Sequence, residues 1–138
     1  MPEGFRVRIL TPMGEVLDAT AAYVRAPAPD GLFGIMAGHA PMVAELAIGA
    51  INVTDPAGAR RHFAATGGVV RVTGREALVL VDAAEEADAI DIERARRALE
   101  RAQHRLAATA GAGVDISRAE LALARAHNRL RVAESAQL

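Results

Sequence analysis

The hydrophobic period of this chain changes once, near residue 87, and the change limits what each part can fold into. Before it, apolar and charged side chains alternate, as in Phe5-Arg6-Val7-Arg8-Ile9, the pattern of a strand with one buried and one wet face. After it, Ala95, Leu99, Ala102 and Leu106 recur at helical steps, and so do Ala119, Leu123, Ala126 and Leu130. A side-chain period of 2 places one face of a strand on a core, whereas 3.6 places one stripe of a helix there. The chain therefore reads as a β domain over residues 1–86 followed by an α-helical hairpin over residues 87–138.

Turn residues punctuate the first part. Thr11-Pro12-Met13-Gly14 closes the first strand. Val16-Leu17 and Tyr23-Val24 mark a second extended stretch, stopped by Pro27, Pro29 and Asp30-Gly31. Ile48 to Thr54 is another strand, ended by Asp55-Pro56-Ala57-Gly58. Val69–Val72 and Ala77–Val81 flank Gly74 as a hairpin. Short strands with frequent turns predict a small sandwich or flattened barrel.

In the tail, Gly111-Ala112-Gly113 predicts a chain reversal, and Ser117-Arg118-Ala119-Glu120 has the spacing of a capping box. The result is two antiparallel helices of roughly 20 residues each. Their apolar stripes are mostly alanine. At about 25 cal/mol per Å², burying a methyl contributes far less than burying a leucine side chain. Such helices form readily but dock weakly. Two readings stay open: a hairpin able to leave its resting place, and one packed statically.

Several kinds of chemistry are not signalled. A net charge of −1 speaks against a nucleic-acid binder. Without cysteine there is neither a disulfide frame nor a thiolate metal site, and His39, His62, His104 and His127 lack metal-ligand spacing. Serine occurs only at Ser117 and Ser135, away from any nucleophile elbow. Gly31, Gly34 and Gly38 match neither a dinucleotide fingerprint nor a phosphate loop. Asp82, Glu85 and Glu86 read as solvated carboxylates at a strand exit. The most apolar stretch, Phe33 to Ile51, contains His39, Pro41 and Glu45 and does not read as a membrane span; nor does MPEGFRVRIL have the apolar core of a signal peptide. The expectation is a soluble, non-catalytic protein without metal, nucleic-acid binding or direct membrane insertion.

The segments Phe33-Gly34-Ile35-Met36-Ala37-Gly38-His39-Ala40-Pro41, Thr66-Gly67-Gly68-Val69-Val70-Arg71-Val72, Asp82-Ala83-Ala84-Glu85, Ile90-Asp91-Ile92-Glu93-Arg94-Ala95 and Arg118 to Leu130 follow one another in order. Together they resemble the ε-subunit family of bacterial F-type ATP synthases over nearly the whole chain. One departure is Ala37, where the family usually has proline before Gly-His. The resemblance implies a ten-stranded β sandwich touching the γ subunit and the c-ring, then a mobile hairpin. That hairpin inhibits ATP hydrolysis when extended toward the α and β subunits, and in some members the folded form binds ATP. It also implies a non-catalytic central-stalk subunit of a proton-translocating complex, on the cytoplasmic face of the bacterial plasma membrane. No cofactor is required, and ATP is a regulatory ligand.

Two sets of residues carry these expectations. Leu32, Phe33, Ile35 and Met36 form an apolar run that, with His39, the resemblance places near the c-ring. In the tail, Arg94, Arg97, Arg101 and Arg105 line one side of the first helix, and Arg118, Arg125 and Arg129 recur on the second. Guanidinium forks suit phosphate oxygens. The resemblance carries nucleotide-site roles to Ile90, Asp91, Arg94, Ala95, Arg101, Arg125 and Arg129. The residues alone equally allow Asp91 as a helix cap and the arginines as a solvated face paired with Glu93, Glu100 and Glu120. A stand-alone nucleotide sensor and a protein-interaction module are the alternatives to a rotor subunit.

Overall fold

The computed structural model describes residues 4–109 and 116–135. The strands are β1 (Phe5–Thr11), β2 (Gly14–Ala21), β3 (Tyr23–Ala28), β4 (Gly31–Met36), β5 (Met42–Thr54), β6 (Arg60–Val72), β7 (Glu76–Val81) and β8 (Ala84–Glu86). A short 3-10 turn, Ala87–Ala89, leads to helices α1 (Ile92–Thr109) and α2 (Ile116–Ser135). The hydrogen-bonded order is β2-β1-β7-β6-β5-β3-β4, with β8 also on β6. The β1–β7 pair is parallel and the other pairs are antiparallel.

Strands from opposite ends of this order share one core. Val7 and Ile9 of β1 pack in the same cluster as Val24 of β3 and Ile35 of β4, together with Ile51, Phe63, Val70 and Val79. That is possible only if the sheet folds over into two layers, with apolar faces inward. The fold-over lies in the two long strands. Leu46 pairs with Gly68 and Ile48 with Thr66, but the intervening Ala47 and Gly67 are skipped. There β6 changes partner, from β8 over Phe63–Ala65 to β7 over Gly68–Val72. Gly67 takes a φ of +81°, and a Cβ on Gly68 would collide with the Leu80 carbonyl. The Gly67-Gly68 pair is thus required by backbone conformation and close approach.

The expected ten strands are corrected to eight among the described residues. The reason is that β5 and β6, 13 residues each, run continuously through both layers, so each counts once. The apolar run Leu32–Met36 lies in strand β4. The turn follows it: His39 N–H donates to the Met36 carbonyl, and Gly38 has a φ of +77° at the third position. This is the geometry of a type II turn, whose second position favours proline, so Ala37 occupies a position proline also suits. The hairpin around Gly74 forms as expected, β6 with β7.

The expected reversal at Gly111-Ala112-Gly113 lies outside the described residues. Ser117 lies within helix α2 (Ile116–Ser135), so the expected capping box does not form there. Asp91 does cap α1. Its Oδ1 accepts from Arg94 N at 3.1 Å, while its carbonyl accepts from Ala95 N at 2.9 Å.

Candidate functional site

Two regions position the residues singled out above. The first is the β3–β4 hairpin with the turn after it. Alternation along β4 sends Ile35 inward, buried at 1% exposure, and leaves Leu32 and Met36 outward at 64% and 59%. Phe33 is half-buried against the core. His39 is half-buried, with Nδ1 2.7 Å from the Ala40 carbonyl oxygen. Of the five interface candidates, Leu32 and Met36 present apolar surface, Ile35 and Phe33 serve the core, and His39 holds the turn.

The second region is the joint between hairpin and sandwich. α2 lies across β5 and β6, and α1 packs chiefly on α2. Ile90, Ala95, Val132 and Ala133 close a small second core with Ala64 and Ala87. Alanine at these positions allows helix and sheet to approach closely but buries little area. Beside this core is a cleft of about 230 Å³ lined by Ala64, Thr66, Ala83, Ala98, Arg125 and Arg129, among others.

Two carboxylates at the end of the sheet are engaged. Glu85 meets Arg129: Nη2 donates to Oε2 at 3.1 Å, while the buried Nε sits 2.8 Å from Oε1 at an angle too poor for a hydrogen bond. The contact is an ion pair with one hydrogen bond. Glu86 receives a bidentate fork from Arg61, at 2.7 and 2.8 Å. That hydrogen-bonded guanidinium holds the Glu86 carboxyl below its ordinary pKa. Arg96 bridges Glu93 on its own helix and Glu134 on α2.

The nucleotide candidates are therefore divided. Arg125 and Arg129 share the cleft. Ile90 and Ala95 are buried in the joint, Asp91 caps α1, and Arg94 is exposed. Arg101 lines a separate open depression on α1 with Arg97, Glu100 and His104. Periodicity missed three groups that the structure makes prominent: Glu85, Glu86 and Asn128. Glu85 and Glu86, read as solvated, pair with Arg129 and Arg61. Asn128 is buried at 4% exposure. The one available signal for it was an asparagine four places after Ala124 and four before Val132, on one helical face. Among the described residues, no three His, Cys, Asp or Glu side chains are grouped to hold a metal.

Comparison with known proteins fits this architecture. The family profile for the ATP synthase delta/epsilon chain β-sandwich domain matches residues 4–87, and that for its long α-helix domain matches residues 88–134. The chain belongs to the ATP synthase delta/epsilon family. The ATP synthase epsilon chain of Macrococcus caseolyticus is 44% identical over 101 residues, 72% of this chain and 74% of that one. That of Carboxydothermus hydrogenoformans is 41% identical over 107 residues, 78% and 79% of the two chains. Among solved structures, a chain of the Euglena gracilis mitochondrial ATP synthase, an assembly with OSCP and c-ring, superposes with a TM-score of 0.79 at 22% identity. The match covers 100% of this chain and 84% of that one. A chain of the Tetrahymena thermophila mitochondrial ATP synthase central stalk and c-ring gives 0.55 at 16%, over 99% and 98% of the two chains. At those identities the structural likeness speaks for the fold. The delta/epsilon fold is thus a sandwich followed by two helices here too, and among the described residues no helix is long and apolar enough to cross a membrane.

Proposed function

We propose that this chain is the ε subunit of a proton-translocating F-type ATP synthase, a non-catalytic part of the central stalk. The observation that carries this reading is membership of the delta/epsilon family across both the sandwich and the helices. The sandwich is the rigid body of the pair, since its core cluster contains only strand residues and so needs no helix to close it. It would grip the γ subunit and the c-ring, with Leu32 and Met36 supplying exposed apolar surface near the ring. Attachment to the membrane is then peripheral, through partners, on the cytoplasmic face of the bacterial plasma membrane. Affinity purification of the tagged chain from its source membranes tests the assembly: γ and c-ring subunits are expected with it. Recovery of the chain free of both, from membranes that retain the synthase, overturns the reading.

Regulation is the finer part of the proposal. The hairpin leaves the sandwich, extends toward the α and β subunits and inhibits hydrolysis. ATP favours the docked form through Arg125 and Arg129, which line one cleft, its phosphate replacing the Glu85 carboxylate that now pairs with Arg129 there. At about 230 Å³ it is smaller than the roughly 300–1,000 Å³ of pockets for whole drug-sized ligands, so it suits the phosphate end of a nucleotide. Ile90, Asp91, Arg94, Ala95 and Arg101 complete the proposed nucleotide set. Isothermal titration with millimolar ATP is expected to give heat that R125A reduces at least severalfold. Absence of heat with an unmoved melting curve removes ATP from the mechanism and leaves the rotor role standing.

A further inference from the structure

Asn128 is the one buried polar side chain among the described residues. It sits on the face of α2 that meets the sandwich, and its amide nitrogen donates to the Gly49 carbonyl at 2.9 Å and to the Ala65 carbonyl at 3.4 Å. Gly49 and Ala65 are a directly opposed pair of β5 and β6, two residues from the skipped Ala47–Gly67 step. One amide therefore clamps both long strands beside the fold-over. Its own oxygen accepts from Arg131 Nη2 at 3.5 Å, so the group is satisfied on both sides.

Apart from Asn128 the joint has one polar tie, the partly exposed Arg129–Glu85 ion pair, and such pairs define position weakly. The second core consists largely of alanines, with Ile90 and Val132 the larger buried side chains, and such a surface permits sliding by a turn at small cost. A buried amide does not: any shift of α2 leaves the amide of Asn128 without its acceptors, away from water. Buried polar groups are best attested as devices that select one register among several similar packings. Of buried side chains, α1 adds only Ala95 to this seat; it packs chiefly on α2 and is tied to it by the Arg96–Glu134 pair.

We propose that Asn128 is the register-fixing anchor through which α2 seats the whole hairpin on the sandwich, so that breaking this buried polar contact frees both helices together. The inference concerns docking of the chain alone, and its test involves no other subunit, so it stands or falls apart from the rotor reading. The chain has no cysteine, so A59C and L121C accept spin labels at two defined places, one on an exposed sandwich loop and one on the exposed side of α2. The parent is expected to give one narrow distance. N128L keeps the side-chain volume and removes the donors; it is expected to lose that single distance, adding longer separations and broadening what remains. If N128L keeps the parent's narrow distance, the position serves packing alone and the proposal is overturned. A second measurement needs no variant: an NMR scalar coupling from the Asn128 amide nitrogen to the Gly49 carbonyl carbon, across the 2.9 Å bond, is expected in the isotope-labelled full chain, and its absence also overturns the proposal.

Discussion

At the scale of single residues, the fold depends on a few positions where chemistry leaves no substitute. Gly68 is one. Its missing Cβ lets β6 pass against the Leu80 carbonyl where the strand exchanges β8 for β7. G68A would force the strands apart, at a cost of about 1–3 kcal/mol. Urea unfolding of the isolated chain measures it; an unchanged midpoint would mean the fold-over is softer than its geometry implies. Gly74, in the open turn between β6 and β7, has nothing within contact distance of an added Cβ, so G74A is the matched control. The glycine pair could be read in the sequence as part of the family resemblance. Its reason could not, because the atom that would be struck belongs to Leu80, twelve residues away.

At the scale of elements, the helices form readily but their alanine stripes dock weakly, and their ends decide how they hold. Asp91 satisfies the Arg94 N–H at the start of α1. Replacing an N-cap of this kind by alanine costs about 1 kcal/mol, whereas serine retains most of the bond. Hydrogen exchange in the first turn of α1 is expected to quicken in D91A and to recover largely in D91S; equal exchange in all three proteins would remove Asp91 from the cap. The tie of β8 to β6 has a pH signature. Arg61 depresses the Glu86 carboxyl, so its folded-state pKa lies below the unfolded value. The stability contributed is present above the ordinary glutamate range and is lost as pH falls through the folded value. E86Q is accordingly expected to flatten the acid limb of the stability curve below about pH 4.5. An acid limb identical to the parent's would show the exposed fork to be energetically idle, as many surface pairs are.

For the whole molecule, the separation of the two cores determines what can move. The sandwich core draws no side chain from either helix, while the joint is a small alanine-rich cluster with one amide anchor and one ion pair. Truncation after Glu86 is therefore expected to leave a cooperatively folding sandwich that still binds γ. Loss of the melting transition would show that the helices are part of the core. In the assembled synthase the same truncation is expected to raise ATP hydrolysis, since the proposed inhibitory element is gone. An unchanged rate with the shortened subunit still bound would refute inhibition by the hairpin.

What periodicity can report is the division of the chain and the type of each part, because burying one face of a strand or helix imprints a repeat on consecutive residues. Phe5 to Ile9 and Ala95 to Leu106 carried that imprint, and so did the helix cap at Asp91, whose partner lies three residues on. Contacts between distant residues leave no local repeat. The continuity of β5 and β6 through both layers, the pairing of Glu85 with Arg129 across 44 positions, and the seat of Asn128 on Gly49, 79 positions earlier, depend on which surfaces the folded chain brings together. The arginines show the difference most plainly. Their helical spacing was visible from the start, yet only packing against the sandwich placed Arg125 and Arg129 at one cleft and left Arg101 in another, because a stripe gives direction around a helix axis and says nothing of what lies opposite.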